Sequence, residues 1–201
     1  MSRRRDPEAT RAAILEAAEE VFLEKGFGAA PMSEIARRAD VTKSLLHHHF
    51  GSKEGLWSAV KLRRFEGYAG LQMRMLAEQE PTAALLRESM EIYFRFMRDN
   101  PELVRIMAWV FLEMEDETIG LDAELLRAGT DKIRQAQERG ELRADLNPGF
   151  ILFTFLGIVH HWFQDKQHML SPMGLSPDST AVDAAYLEDA VKIFFEGVLP
   201  R

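Results

Sequence analysis

Helical periodicity, interrupted at intervals by proline, is the feature that most constrains how this 201-residue chain can fold. Apolar residues recur three and four positions apart over most of the sequence. Pro7, Pro101 and Pro148 each follow an Asp or Asn, which is typical of a helix start because the polar side chain caps free N–H groups and proline fits the first turn. The pattern therefore predicts an all-α chain of about nine helices.

The composition excludes several classes of protein. The chain has no cysteine, which rules out a disulfide framework, a thiolate zinc site and a cysteine nucleophile. Its longest apolar run, residues 150–163, is shorter than the roughly 18 residues that a membrane span needs. The first residues are charged, unlike a signal segment. We therefore expect a soluble, cytoplasmic protein without a membrane partner.

The charge is unevenly distributed along the chain. Residues 1–64 contain 12 Lys and Arg against 9 Asp and Glu, whereas the remainder contains 13 against 23, which leaves +3 and −10 within the total of −7. A weakly basic head on an acidic body indicates that only the head approaches a polyanion.

Two short helices joined by a tight turn are predicted near the N-terminus, over residues 31–39 and 43–49. Ile35, Ala36 and Leu46 are the apolar positions on which the two helices would pack, and Thr42 is a natural cap for the second helix. A helix-turn-helix presents the start of its second helix to base edges in the major groove. The outer side of this helix carries Thr42, Lys43, Ser44, Leu45, His47 and His48.

A longer pattern surrounds these helices. It consists of Ile14-Leu15, Ala17-Ala18, Phe22, Gly26-Phe27, Ile35-Ala36, Ala39, Val41, Lys43, Leu46, His49-Phe50 and Ser52-Lys53-Glu54-Leu56. With these residues, the stretch from Thr10 to Val60 resembles the N-terminal domain of the TetR family of transcriptional regulators.

The resemblance implies a three-helix DNA-binding domain over residues 1–52 and a larger helical domain for ligand binding and dimerisation over residues 53–201, connected by a helix at 53–79. It further implies a homodimer that binds a palindromic operator in double-stranded DNA and is released by a small ligand. By position, Lys43, Ser44, Leu45 and Ser33 would approach bases, His47 and Lys53 would meet phosphates, and Arg3, Arg4 and Arg5 would reach a neighbouring groove.

Three positions depart from the family pattern. Ala30 stands where a capping Thr is usual, His47 where an aromatic residue is typical, and the bulky Leu45 where a small residue is usual. Losing these contacts weakens the positioning of the backbone, although Leu45 could still contact a thymine methyl group. An alternative is therefore a helical ligand-binding or metal-dependent protein whose helix-turn-helix has lost DNA binding.

Two groups of histidines are candidate metal sites in the sequence. His47, His48 and His49 point about 100° apart on a helix and cannot converge on one ion. His161, Asp165 and His168 share one helical face and could hold a divalent cation, whereas the simpler interpretation is a hydrogen bond between His161 and Asp165 alone. We predict no metal and no cofactor.

Methionine and aromatic residues are frequent between residues 90 and 162, and could line a cavity for a small hydrophobic effector because thioethers adapt to varied shapes. Tyr93, His160 or Gln164 would supply polar groups, and a solid core is the competing interpretation. The predicted ligand-binding residues are Met90, Tyr93, Phe94, Met107, Phe111, Phe155, Val159 and Trp162.

The last two predicted helices carry more apolar residues than one face can bury within a single chain. This excess indicates a four-helix seam between two copies, although some of these residues must serve the chain's own core. The predicted dimerisation residues are Leu152, Leu156, Phe163, Leu187, Val191 and Phe194.

The function predicted from all of this is a ligand-responsive, dimeric DNA-binding regulator that acts as a repressor. Effector in the body would favour an arrangement whose two heads no longer match the spacing of the DNA grooves. An all-α enzyme is the rival class, but no glycine-rich phosphate loop, nucleophile elbow or paired metal-ligand motif is present. We therefore expect no enzymatic activity.

Overall fold

The computed structural model describes residues 6–78, 80, 82–113 and 123–200, and within these ranges the chain forms nine α-helices and no strand. None of the helices it describes is long and apolar enough to cross a membrane. The helices are α1 (Pro7–Ala29), α2 (Met32–Arg38), α3 (Lys43–Phe50), α4 (Lys53–Glu78), α5 (Ala83–Asp99), α6 (Pro101–Glu113), α7 (Ala123–Glu138), α8 (Pro148–Met169) and α9 (Thr180–Val198), with a 3-10 turn at Ser171–Met173 between α8 and α9.

The predicted helix starts are confirmed where a polar side chain caps the first turn. The Asp6 carboxylate accepts from the N–H of Glu8 at 3.1 Å, and the Asn147 side chain accepts from Gly149 at 2.8 Å. The start of α9 differs from the prediction by one residue, since Ser179 is the cap and Thr180 is the first helical residue.

The end of α1 is set by Gly26, as its position in the sequence predicted. Gly26 has φ 76° and ψ 174°, a conformation that only glycine adopts without strain, and it interrupts the helix before a last short segment ending at Ala29. The interruption lets the chain turn away from α1 and start α2 within a few residues.

The described residues form two compact units. One comprises residues 6–66 and 105–113, and the other comprises the described residues of 67–104 together with 123–200, so that α4 and α6 each contribute to both. This division differs from the boundary expected after residue 52, because Leu56, Trp57 and Val60 of α4 are fully buried in the core of the first unit, together with Ile106 of α6. We call these the N-terminal unit and the C-terminal unit.

Candidate nucleic-acid interface

The helix pair α2–α3 is held by a small apolar core and a tight turn. Ile35 of α2 and Leu46 of α3 are completely buried in the N-terminal unit. Between the helices, the N–H of Val41 donates to the carbonyl of Ala36 at 2.9 Å, and Asp40 adopts a left-handed φ of 53°. Asp tolerates this conformation because its short polar side chain can bond locally, so the turn is sharp without a glycine.

The N-terminal end of α3 presents a polar and apolar surface to solvent. The Thr42 hydroxyl accepts from the N–H of Leu45 at 3.2 Å, which confirms the predicted cap. Lys43 and Ser44 are exposed, and the Leu45 side chain keeps 37% of its surface accessible although it belongs to a helix with a buried face. Ser33, in the first turn of α2, is exposed as well. These residues satisfy the requirement of a recognition helix that its base-reading side chains be uncommitted to the core.

His47 is fixed by a hydrogen bond at the end of α3. Its Nδ1 lies 2.9 Å from the carbonyl oxygen of Gly51, and because a carbonyl can only accept, Nδ1 carries the proton of this bond. In the neutral ring Nε2 is then a bare acceptor, which repels a phosphate oxygen, whereas in the protonated ring Nε2 is a cationic donor. His48 is exposed beside it.

Lys53 has a contact that the sequence did not reveal. Its Nζ donates to the carbonyl of Gly28 at 2.8 Å and lies 4.8 Å from the centre of the Phe27 ring. Lys53 thus connects the start of α4 to the end of α1, and this bond competes with the phosphate contact implied by the family resemblance. That phosphate contact stays a prediction, and Arg3, Arg4 and Arg5 lie outside the described residues.

An ion-pair cluster, also missed from the sequence, joins α1 to α2. The Arg38 guanidinium donates to Glu24 at 2.8 Å and to Glu34 at 2.8 Å, and Lys25 bonds to Glu34. The hydrogen bonds from Lys25 and Arg38 hold the pKa of the Glu34 carboxyl below its ordinary value. The cluster fixes the helix that supports α3, and its only sequence signal is the opposite charge of residues on separate helices.

The C-terminal unit contains a small apolar cavity between α4, α5, α7 and α8. Its volume is about 50 Å³. Most of its wall is aliphatic, and its polar wall residues include Gln72 and Ser89, which are bonded to each other, with the Ser89 hydroxyl donating to Gln72 at 3.0 Å. The cavity is lined by Tyr68, Gln72, Leu76, Thr82, Leu85, Leu86, Ser89, Leu125, Leu126, Gly129, Lys132, Ile133, Ala136, Leu142, Leu152, Phe155 and Leu156.

The cavity wall lies only partly within the predicted region of residues 90–162, and it differs from the predicted set. Of the eight residues expected to bind ligand, only Phe155 lines it, while Met90, Tyr93, Phe94, Met107 and Val159 are buried in the packing. Phe111 is 58% exposed, contrary to a lining role. Trp162 donates to the buried Asp183 carboxylate at 2.7 Å. The prediction rested on methionine and aromatic residues and did not include the leucines of α5 and α7 that line the cavity. The helical spacing of these leucines is the sequence feature that could have indicated their role.

The predicted seam on α8 and α9 needs a similar correction. Val191 and Phe194 are buried within the chain, Leu152 and Leu156 line the cavity, Phe163 packs with its ring centre 4.8 Å from that of Phe94, and Leu187 is half-buried. The most exposed large apolar side chains of these helices are instead Phe150, Phe153 and Ile193, at 72%, 76% and 71%. A helix of this periodicity has one apolar stripe for the core, and only the packing shows which residues remain outside it.

The histidines of α8 form no described metal site. Nδ1 of His161 lies 2.7 Å from the Asp165 carboxylate, which agrees with the simpler interpretation of a hydrogen bond between these two residues. Within the described ranges no three His, Cys, Asp or Glu side chains come together as a metal-binding group.

A short helix has uncommitted polar side chains at its start and packs on its partner helix through buried apolar residues across a tight turn. This arrangement defines a helix-turn-helix DNA-binding protein. Family models agree with this class: residues 14–60 match "Bacterial regulatory proteins, tetR family", and residues 90–192 match "Tetracyclin repressor-like, C-terminal domain". The second match alone covers more than half of the chain. The chain belongs to the tetR family and is a DNA-binding transcriptional regulator.

Individual proteins agree with the family. The chain is 26% identical, over 99% of its length and 95% of the relative, to the HTH-type transcriptional regulator RutR of Escherichia coli K12. It is 35% identical over 97 residues to the HTH-type transcriptional activator FasR of Mycolicibacterium smegmatis, where the match spans 48% of this chain and 44% of that relative. The crystal structure of SCO4942 from Streptomyces coelicolor shares the fold, with a TM-score of 0.71, 24% identity, and coverage of 92% of this chain and 97% of that chain.

Proposed function

We propose that the chain is a repressor that binds a palindromic operator in double-stranded DNA as a homodimer and is released by a small, mainly hydrophobic effector. The observation that carries the proposal is the start of α3, where Lys43, Ser44 and Leu45 are exposed beside the fully buried Leu46. Lys is a donor for the major-groove edge of guanine, and Leu45 offers apolar contact to a thymine methyl group. The chain acts by binding rather than by catalysis, in the cytoplasm where bacterial DNA is accessible.

Dimerisation is supported by large apolar side chains that α8 and α9 leave in solvent. Phe150 and Phe153 of α8 and Ile193 of α9 are each more than two thirds exposed. Exposed apolar surface of this kind is a candidate for contact with a second protein surface. A two-fold dimer would set two recognition helices about 34–36 Å apart, one turn of DNA, and so explain a palindromic operator.

The dimer is tested by light scattering at micromolar concentration. Replacing Phe150 and Phe153 together with Ser removes apolar area from the proposed interface, and we expect the wild-type dimer to become a monomer. Leu62→Ser is the matched control, because Leu62 is 63% exposed in the N-terminal unit. A double variant that remains dimeric would place the interface elsewhere.

Effector binding is supported by the cavity of the C-terminal unit, which is walled mainly by aliphatic side chains. Its volume of about 50 Å³ is well below the 300–1,000 Å³ of typical ligand sites, so binding requires wall side chains to move. An effector that prefers the enlarged form shifts the chain toward it, and this shift is the proposed cause of release from DNA.

DNA binding is tested by fluorescence anisotropy on the duplex upstream of the chain's own gene, with a scrambled duplex beside it. Lys43→Ala is the variant and Lys192→Ala the control, since Lys192 is exposed on α9 and paired with Glu188. Lys53 is left intact because its bond to Gly28 is part of the fold of the N-terminal unit. Salt-sensitive binding that requires both the natural sequence and Lys43 is the expected result.

Binding that is retained both on the scrambled duplex and in Lys43→Ala would contradict the proposed function. Equal binding to the scrambled duplex and to fragments selected from the whole genome would contradict it as well. Transcription from the bound promoter in a purified system tests the sign of regulation. A repressor lowers transcript yield when it is added, and an increase would identify an activator.

A further inference from the structure

One hydroxyl in the C-terminal unit is buried without a hydrogen-bond partner among the described residues. The Tyr93 side chain on α5 is completely buried, and its phenolic oxygen bonds to no other described group. Burial also raises the pKa of this phenol, so the oxygen keeps its proton and remains a donor. Buried polar groups are nearly always satisfied in folded proteins, and an exception calls for a functional reason.

Tyr93 borders the cavity of the C-terminal unit. It lies one helical turn beyond Ser89, which lines the cavity, on the same side of α5. Its ring centre is 5.2 Å from that of Tyr68 and 6.0 Å from that of Phe155, and both of these rings form part of the cavity wall. Movement of either ring as the cavity enlarges would therefore open it toward Tyr93.

The polar groups already on the wall have other partners. Gln72 and Ser89 are bonded to each other, the Thr82 hydroxyl accepts from the N–H of Leu85, and Lys132 has an interaction of its own. A ligand that used one of these groups would have to displace an existing interaction. A ligand that used Tyr93 would form a hydrogen bond without breaking one between described groups.

The surroundings of Tyr93 also limit the charge of its partner. The rings nearest to it are Tyr68, Phe155 and His160, whose ring centre is 6.4 Å away. Burial lowers the pKa of His160 to about 4, so this imidazole is neutral at pH 7. A carboxylate brought beside these three rings would lose its hydration without gaining a positive charge from them.

We propose that the effector is an uncharged, mainly apolar molecule with one hydrogen-bond acceptor, a carbonyl or ether oxygen, that receives the Tyr93 hydroxyl. This inference rests on the proposed function, because it takes the cavity of the C-terminal unit to be the effector site. It identifies the class of ligand through the donor that the fold leaves unpaired.

Three aromatic compounds of similar size test the proposal. Acetophenone carries a carbonyl group, ethylbenzene has no hydrogen-bond acceptor, and benzoate carries a carboxylate. Calorimetric titration of the full-length protein at pH 7.5 is expected to show acetophenone binding about 5-fold more tightly than ethylbenzene, the gain from one net hydrogen bond. Tyr93→Phe should lower acetophenone affinity to that of ethylbenzene and leave ethylbenzene unchanged. Tyr186→Phe, which removes a hydroxyl that donates to the Ile158 carbonyl at 3.0 Å, should preserve the preference.

Four results would overturn the inference. Ethylbenzene and acetophenone binding equally well, or a preference that survives in Tyr93→Phe, would leave the cavity as the effector site and remove Tyr93 as its donor. Benzoate binding more tightly than acetophenone would assign the head group to a cation such as Lys132. Absence of binding by all three probes would exclude the cavity as the effector site, whatever the outcome of the DNA-binding experiment.

Discussion

Replacing Tyr93 with Phe should stabilise the folded chain, contrary to the usual effect of changing a fully buried residue. The substitution removes one oxygen and keeps the ring that packs against Tyr68 and Phe155. A buried donor without a partner costs about 1–3 kcal/mol of desolvation. Because the phenol oxygen has no partner among the described residues, removing it recovers part of this cost, and we expect a gain of about 1–2 kcal/mol.

Tyr186→Phe is the matched control for this experiment. It removes the same atom from the same residue type, but the Tyr186 hydroxyl donates to the Ile158 carbonyl at 3.0 Å. Its loss should cost about 0.5–1.5 kcal/mol, the net contribution of an ordinary hydrogen bond. The two tyrosine variants are therefore expected to change stability in opposite directions.

Urea unfolding followed by circular dichroism measures both changes, at one protein concentration because a dimer's stability depends on concentration. For a chain of this length, 1 kcal/mol corresponds to roughly 2–4 °C in Tm, so thermal unfolding provides a second measurement. If Tyr93→Phe lowers the free energy of unfolding as much as Tyr186→Phe does, the Tyr93 hydroxyl has a partner in the native state. That result would refute the reasoning.

Two further predictions concern the pH dependence of stability and the recognition of DNA. Because burial lowers the pKa of His160 to about 4, the folded chain binds fewer protons than the unfolded chain between pH 4 and 6.5. The free energy of unfolding should therefore fall by on the order of 3 kcal/mol as the pH drops through this window, and His160→Gln should reduce this dependence in urea titrations. A dependence that is unchanged in His160→Gln would contradict the prediction. Lys43→Ala should lose about 1–3 kcal/mol of discrimination at one base pair in competition titrations, whereas equal losses in Lys192→Ala would point to a non-specific charge effect.

The helix-turn-helix was predictable from the sequence because its determinants are local. The Thr42 hydroxyl and the Leu45 N–H that it caps are three residues apart, and Asp6 caps α1 over a similar distance. Gly26 interrupts α1 through its own backbone conformation, independently of any distant contact. Such features depend on the order of a few residues, which the sequence contains in full.

The contacts of Lys53 and Arg38 were not predictable in the same way. Lys53 bonds to Gly28, which is 25 residues away, and Arg38 bonds to Glu24 on another helix. A charged residue in a helical pattern predicts exposure, but many opposite charges are available as partners. Which of them comes within hydrogen-bond distance depends on how the helices pack.

The sequence by itself determined which segments are helices and where most of them begin, because capping and periodicity act within one or two turns. Only the tertiary structure decided that Val191 and Phe194 face the chain's own core while Phe150 and Phe153 remain exposed, and that the Tyr93 hydroxyl has no described partner. The hydrophobic effect is non-directional, so an apolar stripe has the same periodicity whether it contacts its own chain, a second copy or a ligand. The arrangement of all the helices together selects among these partners.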